Sequence, residues 1–198
     1  MTDLILLQGK TFNRVLRLSS LPFVYKPITG ITAAAPAVIT AVGHGVLEGQ
    51  RVAIVSVLGM TQINATNTPL RASDYHKAHV IGVDSISLND INAAGFSPYL
   101  SGGYLQYLTP VDLTAATARM SIKDSIGGVD LLDLTTTNGG IVIDNALKTI
   151  TLIILPAASA ALTWTSGVYD LELTDSTGAV SLLLSGSITV TQEVTTIE

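Results

Sequence analysis

Cysteine is absent from the 198 residues, so the chain has no disulfide, no thiolate metal ligand and no thiol nucleophile. Charge is scarce as well. Asp, Glu, Lys and Arg make up 13% of the residues against 47% apolar, where an average soluble domain carries about 25% charged residues. So few charges cannot keep an extensive free surface wet, and part of the surface is expected to be covered in the working state. The same balance excludes intrinsic disorder, which needs low hydrophobicity and high charge. No uninterrupted apolar run is long enough to cross a membrane: the greasiest stretch, TLIILPAASAALTW at 151–164, holds a proline and falls short of the roughly 20 residues a spanning helix needs. MTDLILLQGK at the start lacks the basic opening and full apolar run of an export signal. Neither membrane insertion nor a targeting segment is expected. P-loop and dinucleotide fingerprints are missing too.

The formal charge of −5 is unevenly spread along the chain. Residues 1–123 carry nine Lys/Arg against six Asp/Glu, and 124–198 carry only Lys148 against nine acids. No basic stripe of the kind a phosphate backbone requires is present, which argues against a nucleic-acid partner. A basic early part and an acidic late part would help neighbouring subunits recognise each other.

What is present is alternation with a period of two, the mark of half-buried strands. In AATARMSIK at 115–123, Ala116, Ala118, Met120 and Ile122 alternate with Thr117, Arg119, Ser121 and Lys123. One face belongs to a core and the other to water. The same logic places Tyr169, Leu171 and Leu173 inside and Asp170 and Glu172 outside, with Val180, Leu182 and Leu184 sharing one face of the next segment. TNGG at 137–140 and DSTG at 175–178 read as hairpin-type turns. The second predicts pairing of 167–174 with 179–191. Only PAASAAL at 156–162 invites a helical turn, with Pro156 at its first position.

The texture changes along the chain. Two strand candidates, DLILLQ and TFNRVLRL, precede a Gly/Pro/Ala-rich stretch that opens with PITGITAAAPAV and runs to SGGYLQYL at 101–108. Dense alternation then resumes. Two or three strands cannot bury a sandwich face alone, so residues 1–27 are expected to pair with 108–198, leaving 28–107 as an insertion.

The outer pieces are QGKTFNRVLRL at 8–18, PVDLTAATARMSI at 110–122 and GVYDLELTDSTGAVSLLLSGSITVTQEVT at 167–195. In this order they resemble a group of tailed-phage structural proteins with a G-x-T-F-x-R start, a P-x-D-L-T-x-x-x-A-R-M strand, a Y-D-L-E-L strand and a closing E-V-T. That resemblance implies an immunoglobulin-like β-sandwich serving in the tail, baseplate or fibre-attachment apparatus. The inserted PAVITAVGHGVLEGQRVAIVSVLGMTQIN and DSISLNDINAAGFSPYLSGG resemble a small β-barrel module named after the first catalytic cysteine half-domain of ubiquitin-activating enzymes. The matching positions are His44-Gly45, Gly49, Gly59-Met60-Thr61, Asn64, Tyr99 and Ser101-Gly102-Gly103. Gln50 stands where that module often has Asp, and Thr196 where the sandwich pattern often has Arg. Without cysteine no thioester forms, so the module's label carries no chemistry here.

Four sets of residues are candidates for a site. His44 sits in AVGHG, where Gly43 and Gly45 permit a tight turn, with Gly49 completing the loop. A general base would also need a nucleophile and an orienting carboxylate, for which only Glu48 is near, so the structural turn is the expectation. His76 and His79, with Asp74, raise a metal site, yet positions three apart on a strand face opposite sides, and no metal is expected. Asp170 and Glu172 share a strand face as a glycosidase pair might, but two acids on the wet side of a strand are ordinarily solvated. Phe96, Tyr99, Tyr104 and Tyr107 concentrate much of a 5% aromatic content in one short stretch. They are suited to anchoring a protein interface, stacking on sugar rings, or packing where the insertion rejoins the sandwich.

The expectation is therefore an all-β, two-domain protein, an immunoglobulin-like sandwich interrupted by a small β-barrel. It is expected to be a non-enzymatic virion component made in the bacterial cytoplasm, with no cofactor or metal. Its expected partners are other virion proteins and copies of itself, not nucleic acid. The alternatives are a host-glycan-binding module of the tail and a capsid decoration or head-fibre protein.

Overall fold

The computed structural model describes residues 2–193; the last residues of the E-V-T match, and Thr196, lie outside them. The chain is all-β. It runs through β1 (Leu4–Leu7), β2 (Phe12–Arg17), β3 (Ser19–Pro27), β4 (Gly30–Ile31), β5 (Ala37–Thr40), β6 (Arg51–Leu58), β7 (His76–Gly82), β8 (Ser85–Leu88) and β9 (Ser101–Pro110). It continues with β10 (Thr117–Lys123), β11 (Asp130–Thr135), β12 (Ile141–Asp144), β13 (Thr149–Ile154), the short helix α1 (Pro156–Ala160), β14 (Ser166–Thr174) and β15 (Val180–Thr191). Two compact units result, 1–18 with 112–198, and 19–111.

The discontinuous unit has a five-stranded sheet, β1-β15-β14-β10-β11, and a three-stranded sheet, β12-β13-β2. The N-terminal strand runs parallel to the last, Leu4 beside Ile188 through Leu7 beside Thr191. β2 pairs antiparallel with β13. The alternation expected in β10 and β14 is observed: Ala118, Met120, Ile122, Tyr169, Leu171 and Leu173 are buried. Ile141, Ile150, Leu152 and Ile154 supply the buried face of the smaller sheet. Two half-apolar sheets in one unit bury those faces as the layers of a sandwich. α1 starts with Pro156 at its first turn, as expected.

β14 pairs with β15 across DSTG, yet Val180, Leu182 and Leu184 do not share a face. Leu171 lies opposite Leu184 while Glu172 lies opposite Leu182, so Leu183 is an extra residue, a bulge that reverses the inward and outward sides. Val180 and Leu182, each 60% exposed, therefore stand on the solvent side with Glu172. TNGG is likewise no hairpin. It carries the chain from β11 in the larger sheet to β12 in the smaller one, and Asn138 sets the corner. Its Oδ1 accepts the Thr135 and Gly140 N–H groups, and its Nδ2 donates to the Asp133 carbonyl.

The second unit is one seven-stranded sheet, β3-β9-β6-β7-β8-β5-β4, curled as a half-barrel around a core that includes Ile39, Ile54, Met60, Ile86, Leu88 and Leu105. Its limits differ from those expected at 27/28 and 107/108. β3 pairs with β9 from Ser19–Pro110 to Pro27–Tyr104, so residues 19–27 and 108–111 belong to the inserted unit. The change of texture at Pro27 marks the end of a strand. The change of unit falls at Leu18–Ser19, between two strands with no linker whose composition could announce it.

This partition also redistributes charge. Residues 19–111 hold four Lys/Arg and four Asp/Glu, so the inserted unit is neutral and the sandwich unit carries the whole net −5. The basic-then-acidic contrast read along the sequence is not a contrast between the units.

Candidate functional site

The His44 loop is the most tightly determined part of the inserted unit. Gly43, Gly45 and Gly49 have φ of +56°, +64° and +74°, a region that favours glycine. The Gly43 N–H donates to Asp84 Oδ1 at 2.7 Å. His44 is 2% exposed. Its Nδ1 accepts the Val46 N–H and its Nε2 faces the Gly82 carbonyl, while the Tyr107 hydroxyl donates to the His44 carbonyl. Both ring nitrogens are thus engaged with backbone, and neither is available to take a substrate proton. Glu48 serves another histidine.

That histidine is His79, whose Nδ1 lies 3.2 Å from Glu48 Oε1. The Val80 N–H donates to Glu48 Oε2 at 2.8 Å, and this bond first, aided by His79, holds the Glu48 carboxyl below its ordinary range. His76 pairs instead with Asp90, Nδ1 to Oδ2 at 2.8 Å. Along β7 the two rings go to separate carboxylates, as the strand period dictates. Asp74, the third candidate ligand, is buried and closes a 3-10 turn: its oxygens accept the Arg71 and Thr66 N–H groups and the Asn67 side-chain amide. The Arg71 bond first keeps its carboxyl low. Among the described residues, no three His, Asp or Glu side chains converge on a point where a metal could sit.

Asp170 and Glu172 lie on the outer face of β14, opposite Ser121 and Arg119. Arg119 is engaged with Asp133 at 2.8 Å. The two acids are exposed.

The aromatic stretch is divided by the fold. Tyr107 is in the core, where burial pushes its hydroxyl up and keeps it a proton donor. The Tyr99 hydroxyl lies 2.9 Å from the Ile28 carbonyl and 3.0 Å from that of Gly102, and Phe96 packs against the same core. Only Tyr104 turns outward, and its companions come from β3. Tyr25 stands edge-on to it with ring centroids 6.3 Å apart and planes at 86°. Phe23 follows at 6.4 Å and 61°. The sequence signal for these two is the i, i+2 spacing in LPFVYKP at 21–27, which lies among the residues expected to pair with the sandwich.

The other positions that carried the module resemblance have structural tasks. Asn64 accepts the Val57 N–H and donates to the Val57 carbonyl, acting as a strand neighbour. At Gly103, φ +88°, a Cβ would lie 2.4 Å from Val57 Cγ2. Gln50 uses both ends of its amide, accepting from Leu47 N–H and donating to the Leu108 carbonyl.

No protein-family model matches the chain, and no curated protein does.

Proposed function

We propose that the protein is a non-enzymatic structural component of a tailed-bacteriophage particle, in the tail, baseplate or fibre-attachment apparatus, working by docking against virion neighbours and copies of itself. The motifs at 8–18, 110–122 and 167–195 support the address. The observation that carries the docking role is β1. It is an edge strand of the five-stranded sheet, with Leu4 and Leu6 buried and Ile5 and Leu7 turned to solvent. An edge strand with an apolar outer side invites another chain unless it is covered. The engagement of His44, His76 and His79 with backbone or a single carboxylate fits a scaffold.

Two measurements test this. Sedimentation velocity over a wide concentration range should show self-association that Ile5→Lys with Leu7→Lys abolishes without unfolding the chain. Immunogold labelling of particles from the phage encoding the chain should decorate the tail. A monomer at every concentration together with unlabelled particles would overturn the proposal.

A further inference from the structure

The outer face of the half-barrel has an unusual row of side chains. In β9 the strand period sends Leu105 and Tyr107 into the core, so Tyr104 and Gln106 point the other way. Pairing sets Gln106 beside Tyr25 on β3 and beside Ala53 on β6. Continuing the Arg51–Lys77 and Val52–His76 register brings Tyr75 beside Ala53. Ala53 is fully buried and Gln106 is 7% exposed, whereas Tyr25 and Tyr104 are 51% and 44% exposed. The row is a shallow trough with a low floor and tyrosine walls. Tyr75 belongs to it electrostatically as well, since burial first and then the Tyr25 phenol push its hydroxyl up.

The floor is chemically unfinished. Among the described residues the Gln106 amide has no hydrogen-bond partner, and its polar atoms are not sealed from solvent. Gln50, equally buried, has both ends bonded. An amide held nine-tenths buried with open donors and an open acceptor is poised for something that comes from solution. The rings above it stay open to solvent too, since Tyr25 and Tyr104 meet at right angles without stacking and each keeps about half of its surface exposed.

We propose that this trough binds a neutral carbohydrate, with the C–H face of a pyranose ring on Tyr25 or Tyr104 and neighbouring hydroxyls bonded to the Gln106 amide. Hydroxyls both donate and accept, matching the two ends of an amide, and aromatic faces take up apolar C–H surface. The unit's zero net charge asks for no ionic group. The Arg51 guanidinium, on the same strand face as Ala53, is turned to the Ala72 and Tyr75 carbonyls. This site does not depend on the virion proposal.

The test is a glycan array probed with the full chain, carrying neutral hexose and N-acetylhexosamine oligosaccharides beside sialylated and sulfated ones. The best neutral hit is then titrated while the Gln106 side-chain amide is followed by NMR. Binding of a neutral glycan should move those resonances. Whichever of Tyr25→Ala and Tyr104→Ala removes the stacking ring should weaken it about tenfold, the loss of one ring contact. Gln106→Leu should weaken it at nearly constant volume, Tyr25→Phe should retain it, and Leu182→Thr in the other unit should leave it unchanged. Amide spectra establish that each variant is folded. The proposal is overturned if no neutral glycan binds, if only anionic glycans bind, if binding survives both alanine variants, or if those variants abolish self-association instead, which would make the trough a contact between copies.

Discussion

His44 Nε2 lies 2.9 Å from the Gly82 carbonyl, closing a clamp between the loop after β5 and the end of β7. Because Nδ1 accepts from Val46, the ring is the Nε2–H tautomer, and it works as a two-ended connector. His44→Ala leaves the buried Val46 N–H unpaired, which costs about 1–3 kcal/mol, and releases the carbonyl of the exposed Gly82 to water. Denaturant unfolding should show a loss of about 1–3 kcal/mol. Asn can still accept from Val46 but cannot reach Gly82, so His44→Asn should fall between. Equal stability of all three proteins would remove the clamp.

The bulge in β15 makes a sharper prediction because it contradicts simple alternation. Leu182 faces water and Leu171 is fully buried, although both are leucines in strongly alternating strands. Leu182→Lys should change stability by no more than about 0.5 kcal/mol, as surface changes do, while Leu171→Ala should cost about 2–5 kcal/mol. A large loss from Leu182→Lys in equilibrium unfolding would place that side chain in the core and remove the bulge.

These two cases mark what was legible in the sequence. Alternation in β10 and β14, the hairpin at DSTG and the helical turn at Pro156 are local consequences of residue pattern, and they were readable. A bulge is not, since one extra residue leaves the run VSLLLSGSITV looking regular. The unit boundary at Leu18–Ser19 was hidden because both flanking segments are good strands, and only long-range pairing decides which sheet each joins. The turn at His44 was readable from its glycines. Its ring partners were not, as Gly82 and Tyr107 lie far along the chain. The outward aromatic group was half visible: Tyr104 stood in the conspicuous stretch, but Phe23 and Tyr25 meet it only through the β3–β9 ladder.

Lys148 adopts φ +53°, a conformation that costs an ordinary residue roughly 1–2 kcal/mol. It is held there because Nζ donates to Asp112 Oδ1 and Asn145 Oδ1, both at 2.7 Å. Lys148→Ala loses those bonds and retains the strain; Lys148→Gly loses them and relieves it. Thermal unfolding should therefore rank Gly above Ala by about 1 kcal/mol. The same cluster makes a pH prediction. The bond from Lys148, then those from Thr114 and Asn145, lower the Asp112 carboxyl from 3.8 to about 2. A carboxyl lowered by folding stabilises above its unfolded value and loses that contribution as pH falls through the folded one. The stability difference between the native chain and Asp112→Asn should be constant above pH 3.8 and vanish as pH falls through about 2.

Every described ladder pairs strands of the same unit, and each unit has its own buried apolar residues. The sandwich unit is completed by its N-terminal segment: the Tyr169 hydroxyl donates to the Thr2 carbonyl at 2.6 Å, and a Cβ at Gly186 would come within 2.4 Å of that same oxygen. Replacing residues 19–111 with a short Gly/Ser linker should therefore leave a cooperatively unfolding sandwich with dispersed amide resonances. Gly186→Val in that shortened chain should lower its stability by pushing β1 off β15. If the shortened chain is unfolded while the full chain is stable, the sandwich needs the inserted unit to fold. If Gly186→Val has no effect, β1 does not close the sheet, and Ile5 and Leu7 lose their place on a docking edge.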